Sequence, residues 1–194
     1  EIVVVVGWKQ HAILDYLGSG DRLDVDITYV VQDDRNGLAG AVKAGEDAID
    51  DETFAVILGD NYLSDGDALN KIAEFHDERG YEATIGSFEV DDVTSYGIID
   101  GQDGKVNGLV EKPSEEEAPS RKGIAGLYVF EKSIFQAIEE IGKGAGDEYQ
   151  LTDAIDRVRE KTDRVGYKEV PGDHIDVGTP ERLRKANREL ELRD

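Results

Sequence analysis

The feature that most constrains the fold is a series of short, continuous apolar segments separated by helical patterns. Residues 2–6 and 55–58 contain no polar side chain, and residues 27–32 form a similar run. Such runs are typical of strands buried on both faces of a parallel sheet. Helical patterns at residues 9–17 and 38–49 lie between them, and this alternation favours right-handed βαβ units. The first half of the chain therefore predicts a Rossmann-like, doubly wound sheet.

The second half of the chain has a different pattern, with more strands and a tight turn. Asp103-Gly104 predicts a hairpin, and Pro180 in Thr179-Pro180-Glu181 predicts the start of the last helix. The remaining predicted elements are a third helix at 68–79, strands at 83–90, 96–100, 106–112, 124–130 and 165–170, and helices at 133–141 and 151–161. The predicted fold class is α/β with a mixed, mostly parallel sheet, in a single domain over residues 1–194.

Charge is the extreme feature of the composition. The chain has 44 acidic against 22 basic residues, a formal net charge of −22, and the acids are spread along the whole sequence. Regular apolar blocks argue against disorder, so we interpret the acids as the surface of a folded protein. Our hypothesis is a halophilic source. Nucleic acid and anionic membranes are disfavoured as partners because both require basic patches.

Several other functional classes lack their sequence signatures. The absence of cysteine excludes disulfides and thiolate metal sites. No segment approaches the ~20 apolar residues of a membrane span and no signal peptide is found, so a cytoplasmic location is expected. His11, His76 and His174 have no metal-site spacing, and we expect His11 and His76 on helix surfaces. Motifs G-x-S-x-G, G-x-G-x-x-G and the Walker loop are missing.

Two acids follow predicted strands in distant parts of the chain. Asp60 lies in Leu58-Gly59-Asp60-Asn61, and Asp176 lies between a short strand and the last helix. Ligands of open α/β sheets bind beyond the carboxyl ends of strands, where a carboxylate can hold a hard cation such as Mg²⁺. Each acid has a structural alternative, Asp60 as a turn residue or helix cap and Asp176 as a turn residue. Together they suit a metal that bridges phosphates.

Other residues at strand ends could bind a polar ligand. Lys112 could pair with a phosphate, and Glu111 could accept hydrogen bonds from sugar hydroxyls. A glycine such as Gly97 lets a ligand approach the main chain. Gln32 could read the edge of a base, and the helix start at Gly37 could pack against a flat ring. Solvated surface, an ordinary turn and an ordinary helix start are the structural alternatives.

In their order along the chain, these segments resemble the sugar-1-phosphate nucleotidyltransferase family, of the glucose-1-phosphate thymidylyltransferase and UTP–glucose-1-phosphate uridylyltransferase type. Eight short motifs carry the resemblance, namely Val31-Gln32, Gly37-Leu38-Ala39, Leu58-Gly59-Asp60-Asn61, Tyr96-Gly97-Ile98-Ile99, Glu111-Lys112-Pro113, Gly126-Leu127-Tyr128, Glu148-Tyr149-Gln150-Leu151-Thr152-Asp153 and Asp176-Val177-Gly178-Thr179-Pro180. Each is weak alone, but their shared order across the chain is a strong signal.

The resemblance implies a reaction between a nucleoside triphosphate, dTTP or UTP, and a sugar 1-phosphate, with glucose 1-phosphate as the family's commonest sugar. Asp60 and Asp176 would hold the catalytic Mg²⁺, with Lys112 reducing repulsion between the anionic reactants. The base would contact Gln32 and Gly37. The residues expected to hold the sugar phosphate are Gly97, Glu111, Lys112 and Ile124. Assembly into a homo-oligomer is also common in the family.

The sequence departs from the family in two places. The family's first strand, its G-x-G-T-R-L loop and a following K-P motif are not found in these 194 residues, so we expect the fold to be N-terminally incomplete. That loop supplies groups to the triphosphate, and we therefore expect the chain by itself to be inactive and poorly stable. His174 stands where the family commonly has an aromatic residue such as Trp.

Two other functions stay open. A non-catalytic, regulatory relative would bind a nucleotide sugar without turning it over, which the missing loop favours and the retained acids disfavour. A metal-dependent glycosyltransferase of similar architecture would carry D-x-D at the strand end. The sequence has Gly59-Asp60-Asn61 there, which disfavours that reading.

Overall fold

The computed structural model describes residues 1–191 and folds them into strands and helices in an α/β arrangement. The strands are β1 Ile2–Val6, β2 Ile27–Val31, β3 Thr53–Ile57, β4 Asn61–Leu63, β5 Ala83–Glu89, β6 Gly97–Gln102, β7 Lys105–Glu111, β8 Lys122–Glu131, β9 Val165–Glu169 and β10 His174–Asp176. The α-helices are α1 Gln10–Leu17, α2 Leu38–Ala44, α3 Ala68–Arg79, α4 Ser133–Glu140, α5 Leu151–Thr162 and α6 Pro180–Glu191. None of the described helices is long and apolar enough to cross a membrane.

A six-stranded sheet, the central sheet, forms the body of the molecule in the order β3-β8-β5-β9-β7-β6. Its pairings are mixed, with β5 parallel to β9 and β8 antiparallel to both β3 and β5. Side chains of β8 alternate between the two faces, as a strand requires. Tyr128 and Phe130 pack in the cluster that includes α4 and α5, while Leu127 and Val129 pack with Ile72 of α3. The central sheet therefore has helices on both faces.

Two smaller sheets lie outside the central sheet. Strands β1 and β2 are parallel, with Ile2 opposite Ile27, and β4 pairs antiparallel with β10. Helix α2 connects the first pair to the body, since its Ala39 N–H donates to the carbonyl of Tyr149, 3.1 Å away. On the same helix, Lys43 pairs with Glu139 of α4 at 2.6 Å.

The observed elements follow the predicted ones, but the strands of the first half do not form one parallel sheet, since β1 and β2 pair with each other and β3 pairs antiparallel with β8. Two elements also differ from the prediction. Helix α2 ends at Ala44, earlier than predicted, because Gly45 interrupts it before a short 3-10 turn over Glu46–Ala48. Strand β4 was not predicted, since three residues are too few to show a period. The predicted hairpin at Asp103-Gly104 is confirmed, and both residues have the positive φ values that such turns require, 54° and 83°.

The prediction that His76 lies at the surface is wrong, because its side chain is 1% exposed. It follows Ile72 by one helical turn and therefore lies on the buried face of α3. Polar partners make burial tolerable. His76 Nδ1 is 2.9 Å from Thr84 Oγ1, and Nε2 is 3.2 Å from a carboxylate oxygen of Glu131. His11 is exposed, as predicted.

Candidate active site

A cavity of about 170 Å³ lies where several strands and helices of the body begin or end. Polar side chains and glycines of six separate segments line it, together with the apolar residues Leu38, Leu58, Ile124 and Leu151. The polar residues and glycines are Asp60, Asn61, Ser95, Tyr96, Gly97, Glu111, Gly126, Tyr128, Gln150, Thr152 and Asp176. A concave site with a few convergent polar groups is the usual form of a small-molecule site.

The small β4–β10 sheet brings the two predicted metal-binding acids to this cavity. Asp176 is opposite Asn61 in the antiparallel register, and the Val177 N–H donates to the Asp60 carbonyl at 2.8 Å. A β-carbon added at Gly178 would lie 2.8 Å from Asp60 Oδ2 and 3.1 Å from Asp176 Oδ1. These two oxygens are therefore at most about 6 Å apart. Gly178 also leaves the space between them free of a side chain.

The carboxylate of Asp176 is held on both sides. Its Oδ1 accepts a hydrogen bond from the Gly178 N–H at 2.8 Å, and its Oδ2 forms an ion pair with Arg182 of α6. Beside it, Asn61 Nδ2 donates to Asp60 Oδ1 at 3.3 Å. The acids therefore have defined orientations at one edge of the cavity.

The donor set suits a magnesium ion that also binds a substrate. Within residues 1–191, no group of three or more His, Cys, Asp and Glu side chains is placed to hold a metal. A two-carboxylate site agrees with the preference of Mg²⁺, which keeps several waters and binds through one or two carboxylates together with substrate phosphates. Asp60 and Asp176 are the residues that would hold it.

Another part of the cavity lining is built on the paired strands β6 and β7. Gly97 is opposite Glu111 in the register. A β-carbon at Gly97 would lie 2.9 Å from Ile124 Cδ1 and 3.1 Å from Glu111 Oε2, so only glycine fits here without displacement. Glu111 Oε2 accepts a hydrogen bond from Thr152 Oγ1 at 3.2 Å, which orients the acid. The structure thus brings together Gly97, Glu111 and Ile124.

Lys112 lies at the edge of this arrangement rather than in the cavity wall. Its backbone has a φ of 45°, and its N–H donates to the Tyr96 carbonyl at 3.1 Å. The side chain is 61% exposed, and its Nζ is 3.9 Å from Glu111 Oε1. The ammonium group is therefore in solvent close to the cavity.

The two residues expected at the base lie elsewhere. Gln32 lines a second cavity of about 400 Å³, together with Asn36, Lys43 and Tyr149. Its Nε2 donates to Asn36 Oδ1 and to the Gly37 carbonyl, both at 3.2 Å. Gln32 and Gly37 are thus adjacent to each other, while neither lines the cavity of the paired acids.

The sequence did not point to several residues of the first cavity. Tyr96 and Tyr128 line it, and burial raises the pKa of both hydroxyls, with nearby Asp176 adding to the rise at Tyr96 and Glu111 at Tyr128. Thr152 contacts Glu111. Each of these three lies inside a motif that carried the family resemblance, which was the available signal. Arg182 lies outside every such motif.

His174 contacts the residue that follows Asp60. Its Nε2 is 2.7 Å from Asn61 Oδ1, and its ring lies 4.0 Å from the Phe88 ring, centroid to centroid. Burial lowers the pKa of the imidazole. The ring thus fills an aromatic position while also contacting the residue next to Asp60.

Comparison with known proteins identifies the family. A model of the nucleotidyl transferase family matches residues 1–193. The chain belongs to this family of enzymes, which confirms the resemblance and the predicted fold class.

Individual relatives and a solved structure agree with this family assignment. A UTP–glucose-1-phosphate uridylyltransferase 2 of Staphylococcus saprophyticus is 35% identical over the whole chain, which covers 76% of that relative. The low-salt glycan biosynthesis nucleotidyltransferase Agl11 of Haloferax volcanii is 36% identical, and the chain covers 54% of it. A solved UDP-glucose pyrophosphorylase in complex with UDP-glucose has a TM-score of 0.87 at 26% identity, over 99% of this chain and 81% of that structure.

Proposed function

We propose that this chain carries the metal-binding and sugar-phosphate-binding part of an enzyme that transfers a nucleotidyl group from dTTP or UTP to a sugar 1-phosphate, with glucose 1-phosphate as the first candidate. The products are a nucleotide sugar and pyrophosphate. The observation that carries the proposal is the approach of Asp60 and Asp176 to within about 6 Å in a cavity that Gly97 and Glu111 also line.

The chemistry asks for positioning and charge neutralisation. An oxygen of the sugar phosphate forms a new bond to the α-phosphorus, and the bond from that phosphorus to the β-phosphate oxygen breaks, so that pyrophosphate leaves with the electron pair. Reactions of this kind depend on alignment and electrostatic stabilisation rather than on a covalent intermediate. Mg²⁺, when bound, offsets the negative charge on the α-phosphate.

The protein residues hold the acceptor in place. Glu111, oriented by Thr152, would accept hydrogen bonds from sugar hydroxyls, and Gly97 lets the side chains of Glu111 and Ile124 pack closely against the β6 backbone. Lys112, exposed to solvent close to the cavity, would pair with the phosphate and reduce its repulsion by the carboxylates.

Binding of a nucleotide sugar tests the proposal on this chain. We expect UDP-glucose or dTDP-glucose to bind in the presence of Mg²⁺ in a calorimetric titration. Glu111→Gln removes a charged acceptor and should weaken binding about tenfold or more. Glu116→Gln, an exposed acid outside the cavity, is the matched control. Equal affinities of both variants for the nucleotide sugar would count against the sugar site.

Further measurements separate the remaining functions. The expectation for the 194 residues tested alone is binding without turnover, because they contain no G-x-G-T-R-L motif. Release of pyrophosphate from a mixture of glucose 1-phosphate with dTTP or UTP would establish nucleotidyl transfer. Release of UDP from UDP-glucose, with transfer of the glucose to an acceptor, would instead indicate a glycosyltransferase. A panel of bases and sugars decides the substrates. A cytoplasmic location and a homo-oligomer stay predictions.

A further inference from the structure

Arg182 occupies a position in α6 where a positive charge is unfavourable for the helix. Its N–H donates to Thr179 Oγ1 at 3.2 Å, so Thr179 caps the helix and Arg182 is the third helical residue. Glu or Gln is the usual partner of a capping threonine at this position, and the helix dipole disfavours cations in the first turn. The guanidinium must therefore be stabilised by something outside the helix.

That stabilisation comes from the candidate cation site. Arg182 Nη1 forms an ion pair with Asp176 Oδ2, and the side chain of Asp176 is only 18% exposed. The guanidinium carbon also lies 5.8 Å from the centre of the Tyr96 ring, which lines the same cavity. Partial burial of Asp176 means that solvent and salt screen this pair less than a fully exposed one.

We propose that Arg182 is an internal counterion of the cation site, and that it neutralises Asp176 until a divalent cation displaces it from Oδ2. This inference rests on the proposed function, because it takes Asp60 and Asp176 as the cation ligands. The other oxygen of Asp176 already accepts the Gly178 N–H. Oδ1 is also the oxygen that lies near Asp60 Oδ2, so a cation that uses both oxygens of Asp176, or Oδ2 alone, must compete with the guanidinium.

The competition has a physical consequence for metal affinity. Two carboxylates within about 6 Å repel each other, and a nearby positive charge offsets this repulsion. Arg182 supplies that charge and so stabilises the metal-free site. An equilibrium that keeps Asp176 paired lowers the apparent affinity for a cation in proportion to the paired fraction. After displacement, the guanidinium remains beside Tyr96, where it can face an anionic substrate.

Titration with Mn²⁺ tests this directly, with the free ion followed by electron paramagnetic resonance. The whole chain is used in 1 M KCl, which screens weak association with exposed carboxylates. Arg182→Gln should bind Mn²⁺ about threefold to tenfold more tightly than the unaltered chain. Arg182→Lys, which keeps the charge, should stay close to the unaltered chain. Arg184→Gln makes the same charge change on α6 and should shift the dissociation constant less than about twofold.

Each outcome decides one point. If Arg182→Gln binds Mn²⁺ more weakly than the unaltered chain, the arginine positions Asp176 for the metal. If Arg182→Gln and Arg184→Gln bind Mn²⁺ with equal affinity, Arg182 does not compete with the cation. Either result overturns the inference. Asp60→Asn and Asp176→Asn test the cation site separately. If both bind Mn²⁺ as the unaltered chain does, the metal site of the proposed function fails. Circular dichroism of each variant checks that it folds.

Discussion

Two regions of this molecule contain predicted strands and reach different degrees of burial. The N-terminal unit, residues 1–37, contains the apolar strands β1 and β2, yet Ile2 is 45% exposed and Val31 is also exposed. In the central sheet, Ile85 is 0% exposed, and the strands have helices on both faces. An apolar run thus predicts a strand, while the burial of that strand depends on what packs against it.

The candidate site follows the same division. The two acids, Gly97, Glu111 and Ile124 line one cavity of the body, at or near the ends of β4, β6, β7, β8 and β10. Gln32, which follows β2, lines a different cavity, and its side chain donates to the carbonyl of Gly37. The N-terminal unit is connected to the body through α2 and through the main-chain bonds that Asn36 and Ala39 make with Tyr149. The contribution of this unit to the site depends on that connection.

Matched isoleucine substitutions should give the largest difference between the regions. Ile85→Ala leaves a cavity in the central sheet and should lower the free energy of unfolding by about 2–5 kcal/mol. Ile2→Ala removes a side chain that is already half exposed, and should cost less than about 1 kcal/mol. Denaturant unfolding followed by circular dichroism measures both. Similar costs would show that β1 is as well packed as β5.

Sequence reasoning succeeded where one local pattern determines the outcome. Helix α3 has the predicted bounds, and Asp60 and Asp176 line one cavity, while their role as metal ligands stays a prediction. It failed where long-range packing decides. His76 of helix α3 is buried against Thr84 of β5 and Glu131 of β8. The ion pair of Asp176 depends on the direction that α6 takes after Thr179. Neither contact leaves a periodic signal in the sequence.

Gly37→Ala should break the connection between the regions. Gly37 has a φ of 111°, and an added β-carbon would lie 2.5 Å from the Tyr149 carbonyl oxygen, a backbone atom that cannot move away easily. Strain and steric clash together should cost about 1–3 kcal/mol. Hydrogen exchange should accelerate at β2 and at Ala39, whose N–H bonds to Tyr149, while β5 and β8 change less.

Gly18→Ala is the control for this experiment. Gly18 also has a positive φ, 60°, but an added β-carbon would meet no atom within 4 Å. Its substitution therefore introduces strain without a clash and should cost about 1 kcal/mol. If the two alanine variants lose the same stability and show the same exchange, contact with Tyr149 is not what connects the N-terminal unit to the body.

Adding salt should change the stability of the protein least, and it should stabilise the N-terminal unit more than the central sheet. A net charge of −22 creates self-repulsion that KCl screens, because the Debye length falls from about 10 Å at 0.1 M to about 3 Å at 1 M. We expect the melting temperature to rise by roughly a few degrees. Exchange should slow most at β1 and β2, where few apolar contacts oppose the repulsion. Sucrose is the control, since it favours compact states without screening charge. Stability independent of KCl, or an equal gain with sucrose, would remove the argument for a halophilic source.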